Sequence, residues 1–174
     1  MDVANEIGIT KGGIYHYFGS KEELFHAGFD FLFDYFGKRY TEILSKERKF
    51  RGTLNFLLSG EQEAYMEGLL NIKPGDYRAN NASLALEVMH NFPEIQERID
   101  QGHLELRNII KEKLQAAQET GEIRGDLDAK VVATIVLSVS SGLNVIGKNI
   151  INPGMHQQMI DSLWQLIGVK DGRE

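Results

Sequence analysis

The stretch "VANEIGITKGGIYHYFGSKEELF", Val3 to Phe25, decides the fold of the first part of this chain. Gly8 can take the left-handed conformation that closes a first helix, and the Thr10 hydroxyl can cap a second one. Two short helices joined by a tight turn form a helix-turn-helix. One side of the second helix is apolar, and we expect it to pack against the first helix. The residues of this expected contact are Val3, Ala4, Ile7, Ile14 and Phe18.

The opposite side of the second helix combines glycines with polar and aromatic residues. Gly12 and Gly13 lie inside the helix, where each costs about 1 kcal/mol relative to alanine. A helix with a purely structural role would gain from losing them, so a face without Cβ atoms indicates close approach by a large partner. The flanking side chains supply a cation, hydroxyls and an imidazole, which suit phosphate oxygens and base edges in a DNA major groove. They are Lys11, Tyr15, His16 and Tyr17.

A third helix begins directly after this one. Gly19 breaks the second helix, Ser20 can cap the third, and Glu23 completes the S-x-x-E capping box. Lys21 then lies at a helix N-terminus, where unpaired N–H groups and the helix dipole favour an anion. A DNA phosphate is the natural candidate.

The same segment resembles the DNA-binding signature of TetR-type transcriptional regulators. That signature has a helix ending in Ala-Gly-Val-Ser or similar, then Lys-Gly, a Tyr, an aromatic-rich pair, Phe, and Ser-Lys-Glu-Glu-Leu. The match is close over positions 3 to 25, and the rest of the chain resembles the family in size, helical order and the "GEIRGDLD" turn. The resemblance implies that Thr10, Lys11 and Gly12 open the recognition helix near bases and phosphates. It also implies that Tyr15 contacts a phosphate of the DNA backbone, that His16 and Tyr17 lie at the groove, and that Lys21 contacts a second phosphate.

The resemblance also implies an all-α architecture in two parts. Residues 1–24 form the helix-turn-helix region, and residues 25–174 form a larger helical domain for ligand binding and dimerisation. Domains of this family carry a complete helix before the helix-turn-helix, whereas this sequence begins at Met1, already inside the first helix of the helix-turn-helix. The DNA-binding domain is therefore expected to be incomplete, with either a true start upstream or a truncated form.

Hydrophobic periodicity predicts helices along the remainder of the chain. Phe25, Phe29, Phe33, Phe36 and Tyr40 line one face of a helix, as do Ile95, Ile99, His103, Leu106, Ile110 and Leu114. Gly121 and Gly125 end one helix, and Asp126 or Asp128 can cap the next. The predicted helices are 2–8, 11–18, 21–45, 52–71, 77–91, 94–120, 127–150 and 155–168.

The last two predicted helices are apolar over a wide face, so they need a partner surface. The family resemblance implies a homodimer built on them, and a pocket for a small-molecule effector between the middle helices. Candidate pocket residues are polar or soft groups that face inward on apolar helices. They are Tyr65, Met66, Met89, His90, His103, Arg107 and Asn144. His103 occupies a position of the apolar stripe, where a lone histidine is more often a core or interface residue than a ligand contact.

Composition restricts the alternatives. The chain has 174 residues, no cysteine and a net charge of -6, which excludes disulfides, thiolate metal sites and a cysteine nucleophile, and argues against bulk electrostatic coating of nucleic acid. The absence of a signal segment and of a sufficiently long apolar run predicts a cytoplasmic protein without a membrane span. The five histidines show no metal-binding spacing, and no cofactor is expected.

The segment "GLNVIGKN", Gly142 to Asn149, matches the sequence motif of a phosphate-binding loop, G-x-x-x-x-G-K-[ST], except at its last position. Asn149 replaces the required hydroxyl residue, and only 25 residues follow, too few for a P-loop fold. The sequence therefore predicts no enzyme. It predicts a dimeric, ligand-responsive regulator of double-stranded DNA, a repressor that a small molecule releases from a near-palindromic operator. The alternative is a helical ligand-binding or interaction protein that has lost DNA binding with its first helix.

Overall fold

The computed structural model describes residues 3–59, 64–65, 67–68, 71, 73, 92–143 and 153–169. Within them the regular structure is helical, apart from an isolated bridge between Ile123 and Gly168, and the predicted all-α class is confirmed. The helices are α1 Val3–Glu6, α2 Lys11–Tyr17, α3 Lys21–Lys46, α4 Phe50–Leu58, α5 Pro93–Glu119, α6 Ala129–Leu143 and α7 Pro153–Ile167.

The chain divides into two compact units, Met1–Tyr40 and Thr41–Glu174, so the division falls inside α3. The functional boundary predicted after residue 24 stays a prediction. No helix among the described residues combines the length and the hydrophobicity needed to cross a bilayer. The helix predicted over 77–91 lies outside the described residues.

The first unit contains α1, α2 and the larger part of α3. The turn between α1 and α2 is closed by Gly8, whose φ is 71°, and by a hydrogen bond from Ile9 N to Ala4 O at 3.0 Å. The expected contact between α1 and α2 is only partly correct. Ala4 is buried, whereas Val3, on another side of the four-residue α1, and Ile7, which follows that helix, are exposed.

The first three rings of the predicted aromatic stripe of α3 contact one another in series. The centroids of Phe25 and Phe29 are 6.1 Å apart, and those of Phe29 and Phe33 are stacked at 5.0 Å. These rings are half-buried. On another side of the helix, Phe31 and Tyr35 stack at 6.5 Å and are exposed to solvent.

In the second unit, α5 packs along α6, and α4 contacts α5, α6 and α7. Because α4 touches three helices, most of its apolar side chains are removed from water. The buried core residues of α4 are Phe50, Leu54, Leu57 and Leu58. Ile110, Leu114, Val136 and Ile160 contribute from the other helices.

The ends of α4 differ from the predicted range of 52–71. The helix begins at Phe50 because the Glu122 carboxylate accepts the N–H groups of Phe50 at 3.1 Å and Arg51 at 3.4 Å. At its other end, Ser140 Oγ donates to Leu57 O at 3.0 Å. His156 Nδ1 lies 2.6 Å from Leu58 O. Side chains distant in sequence thus satisfy the unpaired backbone groups at both ends of the helix.

The turn between α5 and α6 confirms Gly121 as an end of α5, whereas the start of α6 differs from the prediction. Gly121 takes the left-handed conformation with φ 75°, and the N–H groups of Glu122 and Ile123 donate to Ala117 O. Of the two candidate caps, Asp128 is the one used, since its Oδ1 accepts Lys130 N at 2.8 Å and Val131 N at 3.1 Å. The α6 helix therefore begins at Ala129 instead of residue 127.

Candidate nucleic-acid interface

The N-terminus of α2 is capped as its sequence predicts. Thr10 has extended backbone angles, φ -79° and ψ 155°, and its Oγ1 accepts Gly13 N at 3.0 Å. Ile14 and Phe18, on one side of α2, are half-buried. This arrangement holds α2 by its cap and by that side, and it leaves the other side of the helix open.

The open side of α2 carries the residues that the sequence assigned to DNA. Lys11, Gly12 and His16 are exposed, and Tyr15 and Tyr17 have exposed fractions of 57% and 76%. A Cβ atom built on Gly12 would have Thr10 Oγ1 at 3.9 Å as its nearest neighbour, so none of the described residues requires glycine there for space. The ring of Tyr17 meets the ring of His16 edge-on, with centroids 5.3 Å apart. The open side of α2 therefore presents side-chain hydrogen-bond donors around the exposed backbone of Gly12.

The start of α3 adds a second set of donors. The Ser20 hydroxyl accepts Glu23 N at 3.0 Å, and the Glu23 carboxylate accepts Gly19 N at 2.7 Å. The capping box is therefore confirmed, with Glu23 bonded one residue earlier than the usual partner. Lys21 is exposed in the first turn of this helix. Its ammonium group and the helix N-terminus are both suited to a phosphate.

The electrostatics of this helix start agree with its capping. The pKa of the Glu22 carboxyl is lowered, first by a hydrogen bond to its own backbone N–H and then by the Ser20 side chain, with the charge of Lys21 adding to the effect. A negative charge is therefore favoured here in the protein itself.

The predicted effector residues are placed in part. Met66, Met89, His90 and Asn144 lie outside the described residues. Tyr65 and Arg107 are half-buried, and His103, predicted on the inward stripe of α5, is exposed. Arg107 Nε is buried without a hydrogen-bond partner among the atoms that the structure describes. The assignment of these residues to a pocket stays a prediction.

The last two described helices expose apolar side chains. On α6, Val131 and Ile135 are one turn apart and have exposed fractions of 55% and 48%. On α7, Leu166 is 65% exposed and Met155 is also exposed. Two helices with solvent-facing apolar residues are typical of an interaction surface.

Three residues that position α4 were not singled out from the sequence. They are Glu122, Ser140 and His156, and their contacts join positions 72 to 98 residues apart, so no local pattern announces them. Thr53 was also missed: it is fully buried, and its hydroxyl has no partner among the described residues. The described residues hold no group of three or more side chains suited to a metal ion.

Comparison with protein families identifies two matching segments. Residues 1–27 match the model of "Bacterial regulatory proteins, tetR family". Residues 81–161 match that of "Tetracyclin repressor-like, C-terminal domain". The chain is also similar to the HTH-type transcriptional repressor KstR2 of Rhodococcus jostii, with 30% identity over 135 residues, 75% of this chain. This chain covers 60% of that relative's length.

Three solved structures share the fold of this chain. A TetR-family transcriptional regulator from Cytophaga hutchinsonii superposes with a TM-score of 0.73 at 20% identity, covering 98% of this chain and 84% of that one. Reduced NemR of E. coli gives a TM-score of 0.74 at 18% identity, with 98% and 88% covered. GusR of Salmonella enterica gives 0.67 at 19% identity, with 94% and 81% covered.

Proposed function

Because the chain belongs to the TetR family of bacterial regulatory proteins, we propose that it binds double-stranded DNA through α2 and regulates transcription. The observation that carries this proposal is the open side of α2, where Gly12 and the rings of Tyr15 and Tyr17 are exposed. Exposed aromatic side chains beside an uncovered glycine have no evident packing role among the residues that the structure describes. They fit a duplex that approaches the backbone closely.

The roles of the individual residues follow from their chemistry. Thr10, Lys11 and Gly12 open the helix that enters the major groove, and His16 and Tyr17 meet its edge. Tyr15 and Lys21 donate to backbone phosphates, and such contacts position the protein without reading sequence. Changes at Lys11 or His16 therefore alter sequence preference, whereas changes at Tyr15 or Lys21 weaken binding to all sequences.

The regulator acts as a homodimer. The exposed apolar side chains of α6 and α7, Ile135 and Leu166 among them, support a second copy of the chain as their partner. Two copies related by a two-fold axis read a near-palindromic operator, with half-sites separated by about one turn of DNA or a little more. The similarity to a protein named as a transcriptional repressor supports repression as the output.

A small molecule in the second unit controls release from the operator. The candidates in the described residues are Tyr65, His103 and Arg107, with Met66, Met89, His90 and Asn144 proposed alongside them from the sequence. Two sites influence each other only when the ligand binds the two states of the protein with different affinity. The effector is therefore proposed to bind the DNA-free state more tightly.

The test is a selection of the 174-residue chain against random duplex DNA at moderate salt, followed by sequencing of the retained DNA. A palindromic consensus is the expected result. Lys21→Gln should then weaken binding and reduce the salt dependence by about one released counterion, while Lys38→Gln, another exposed lysine of α3, serves as the matched control. If a folded, dimeric protein retained no DNA, the result would favour the alternative, a ligand-binding protein without DNA activity.

A further inference from the structure

The middle of α5 carries polar side chains on the side that faces the core. At about 100° per residue, Gln96, His103 and Arg107 all lie within about 60° of Ile110, which is fully buried. A side chain at such a position is normally covered by neighbouring helices. His103 is nevertheless exposed, and Gln96 and Arg107 are only half-buried. The core-facing side of α5 is therefore open to solvent around His103.

The side chains along this opening have unused hydrogen-bonding atoms. Gln96 donates through Nε2 to Asp100 Oδ1 at 2.8 Å, but its Oε1 is buried without a partner. Arg107 Nε is also buried without a partner. In the part of the chain that the structure describes, the side chains of Arg107 and His103 make neither a hydrogen bond nor an ion pair. A buried donor without a partner is destabilising, so Arg107 Nε and the rest of this guanidinium are available to a partner that comes from outside the chain.

The unused groups favour an anion over a neutral or cationic ligand. A guanidinium keeps its charge at physiological pH and offers paired N–H donors that match a carboxylate or a phosphate. His103 lies one turn before Arg107, about 5–6 Å away between Cβ atoms, and adds a second nitrogen donor. Among the residues three or four positions from His103 or Arg107 along the helix, the acidic one is Asp100. Its Oδ1 already accepts a hydrogen bond from Gln96 Nε2. Glu97 and Glu105 are exposed, and Glu105 accepts Gln101 Nε2 at 3.0 Å.

We propose that Arg107 and His103 bind the oxyanion of a small molecule, either a carboxylate or a phosphate. The half-buried Ile99 and Leu106 beside them provide apolar contact for the adjoining part of that molecule. The proposal deepens the proposed function, on which it rests, by assigning a chemical class to the effector. Arg107 is the main binding residue, and His103 is the second donor.

The experiment measures binding to the full chain with three probes of the same chain length. Octanoate and octyl phosphate carry the two kinds of oxyanion, and octanol carries none. Affinity is measured by calorimetry, and the ring resonances of His103 are followed by NMR after assignment with His103→Gln. We expect both anions to bind and to shift the His103 resonances, with octanol at least tenfold weaker. Whichever anion binds more tightly identifies the head group.

Variants of α5 test the assignment. Arg107→Gln should weaken anion binding about tenfold or more, and Arg107→Lys should weaken it less because the charge is retained. Lys46→Gln, which removes an exposed lysine at the end of α3, is the matched control and should bind as the unchanged protein does. Circular dichroism checks that each variant is folded. If Arg107→Gln does not fold, the test relies on Arg107→Lys.

Three results would overturn the inference: equal affinity for octanol and the anions, no shift of the His103 resonances with either anion, or unchanged affinity in a folded Arg107 variant. These measurements use no DNA. A protein that binds the anions but selects no DNA sequence would therefore sink the proposed regulation while leaving the anion site in place. A protein that selects a DNA sequence but binds neither anion would disprove the anion site and leave the proposed regulation in place.

Discussion

Glu122 caps a helix that begins 72 positions earlier in the chain, with its Oε2 3.1 Å from Phe50 N. Its Oε1 lies 3.4 Å from Arg51 N, so one carboxylate serves two neighbouring N–H groups. The backbone of the same residue accepts Val169 N at 3.2 Å. A single residue of the α5–α6 turn thus fixes the start of α4 and the segment after α7.

Removal of this carboxylate should destabilise the second unit. Glu122→Ala is expected to lower the free energy of unfolding by about 1–2 kcal/mol, since two helix N–H groups lose a charged acceptor. Glu122→Gln keeps one oxygen acceptor and should lower it by about half as much. Urea denaturation measures both. Glu119→Ala, an exposed position at the end of α5, is the control, and an equal loss in the control would contradict the role of Glu122.

Two buried hydroxyls should respond to removal in opposite ways. The Thr53 hydroxyl has no partner among the described residues, so Thr53→Val should raise the free energy of unfolding by about 1 kcal/mol. The Ser140 hydroxyl donates to Leu57 O at 3.0 Å, so Ser140→Ala should lower it by about 1 kcal/mol. Denaturation of the pair under identical conditions checks the sign. Destabilisation by Thr53→Val would indicate that a bound water satisfies this hydroxyl.

We expect that Gly12 lowers the stability of the protein and raises its affinity for DNA. Gly12→Ala should stabilise the chain by about 1 kcal/mol, because among the described residues the added methyl meets no atom closer than Thr10 Oγ1 at 3.9 Å. In the proposed complex the same methyl obstructs close approach of DNA, so affinity should fall roughly tenfold. Gly28→Ala in α3 is the control, since its Cβ also meets open space. Thermal melts and DNA titrations separate the two effects, and unchanged DNA affinity in Gly12→Ala would count against the proposed interface.

The dimer should depend on the exposed face of α6. Ile135→Glu places a charge where the proposed interface excludes water, so we expect monomers at micromolar concentration. Asn108→Glu introduces the same charge at an exposed position of α5 and should leave the dimer intact. Light scattering during gel filtration gives the mass of each variant. A dimer that persists in Ile135→Glu would place the interface elsewhere.

Lys113 should make stability depend on pH in the alkaline range. Its Nζ donates to Glu47 O at 2.7 Å, and burial lowers its pKa below the ordinary 10.5, with the charge of Glu47 opposing the shift. Between the folded pKa and 10.5 the unfolded chain binds more protons, so the native state gains stability as pH rises through that interval. The stability of the unchanged protein relative to Lys113→Met should therefore increase from neutral pH toward 10.5. A constant or falling difference would contradict the assignment.

Much of the first unit was predictable because its decisive interactions are local. The Thr10 cap spans three residues, the Ser20–Glu23 bonds span three and four, and Gly8 takes a left-handed conformation that favours glycine. Hydrogen bonds of this kind depend on residue type and spacing alone. The exposure of Val3 and Ile7 was not predicted, because the facing of a single-turn helix depends on what surrounds it.

By itself, the sequence determined the helical class, the turn and caps of the helix-turn-helix, and the residue types on the open side of α2. Only the tertiary structure decided where α4 begins and ends, which of two aspartates caps α6, and that His103 is exposed on a core-facing stripe. The physical reason is the range of the interactions. Periodicity and caps act within a few residues, whereas the bond between His156 and Leu58 joins positions 98 residues apart and exists only after the helices have packed.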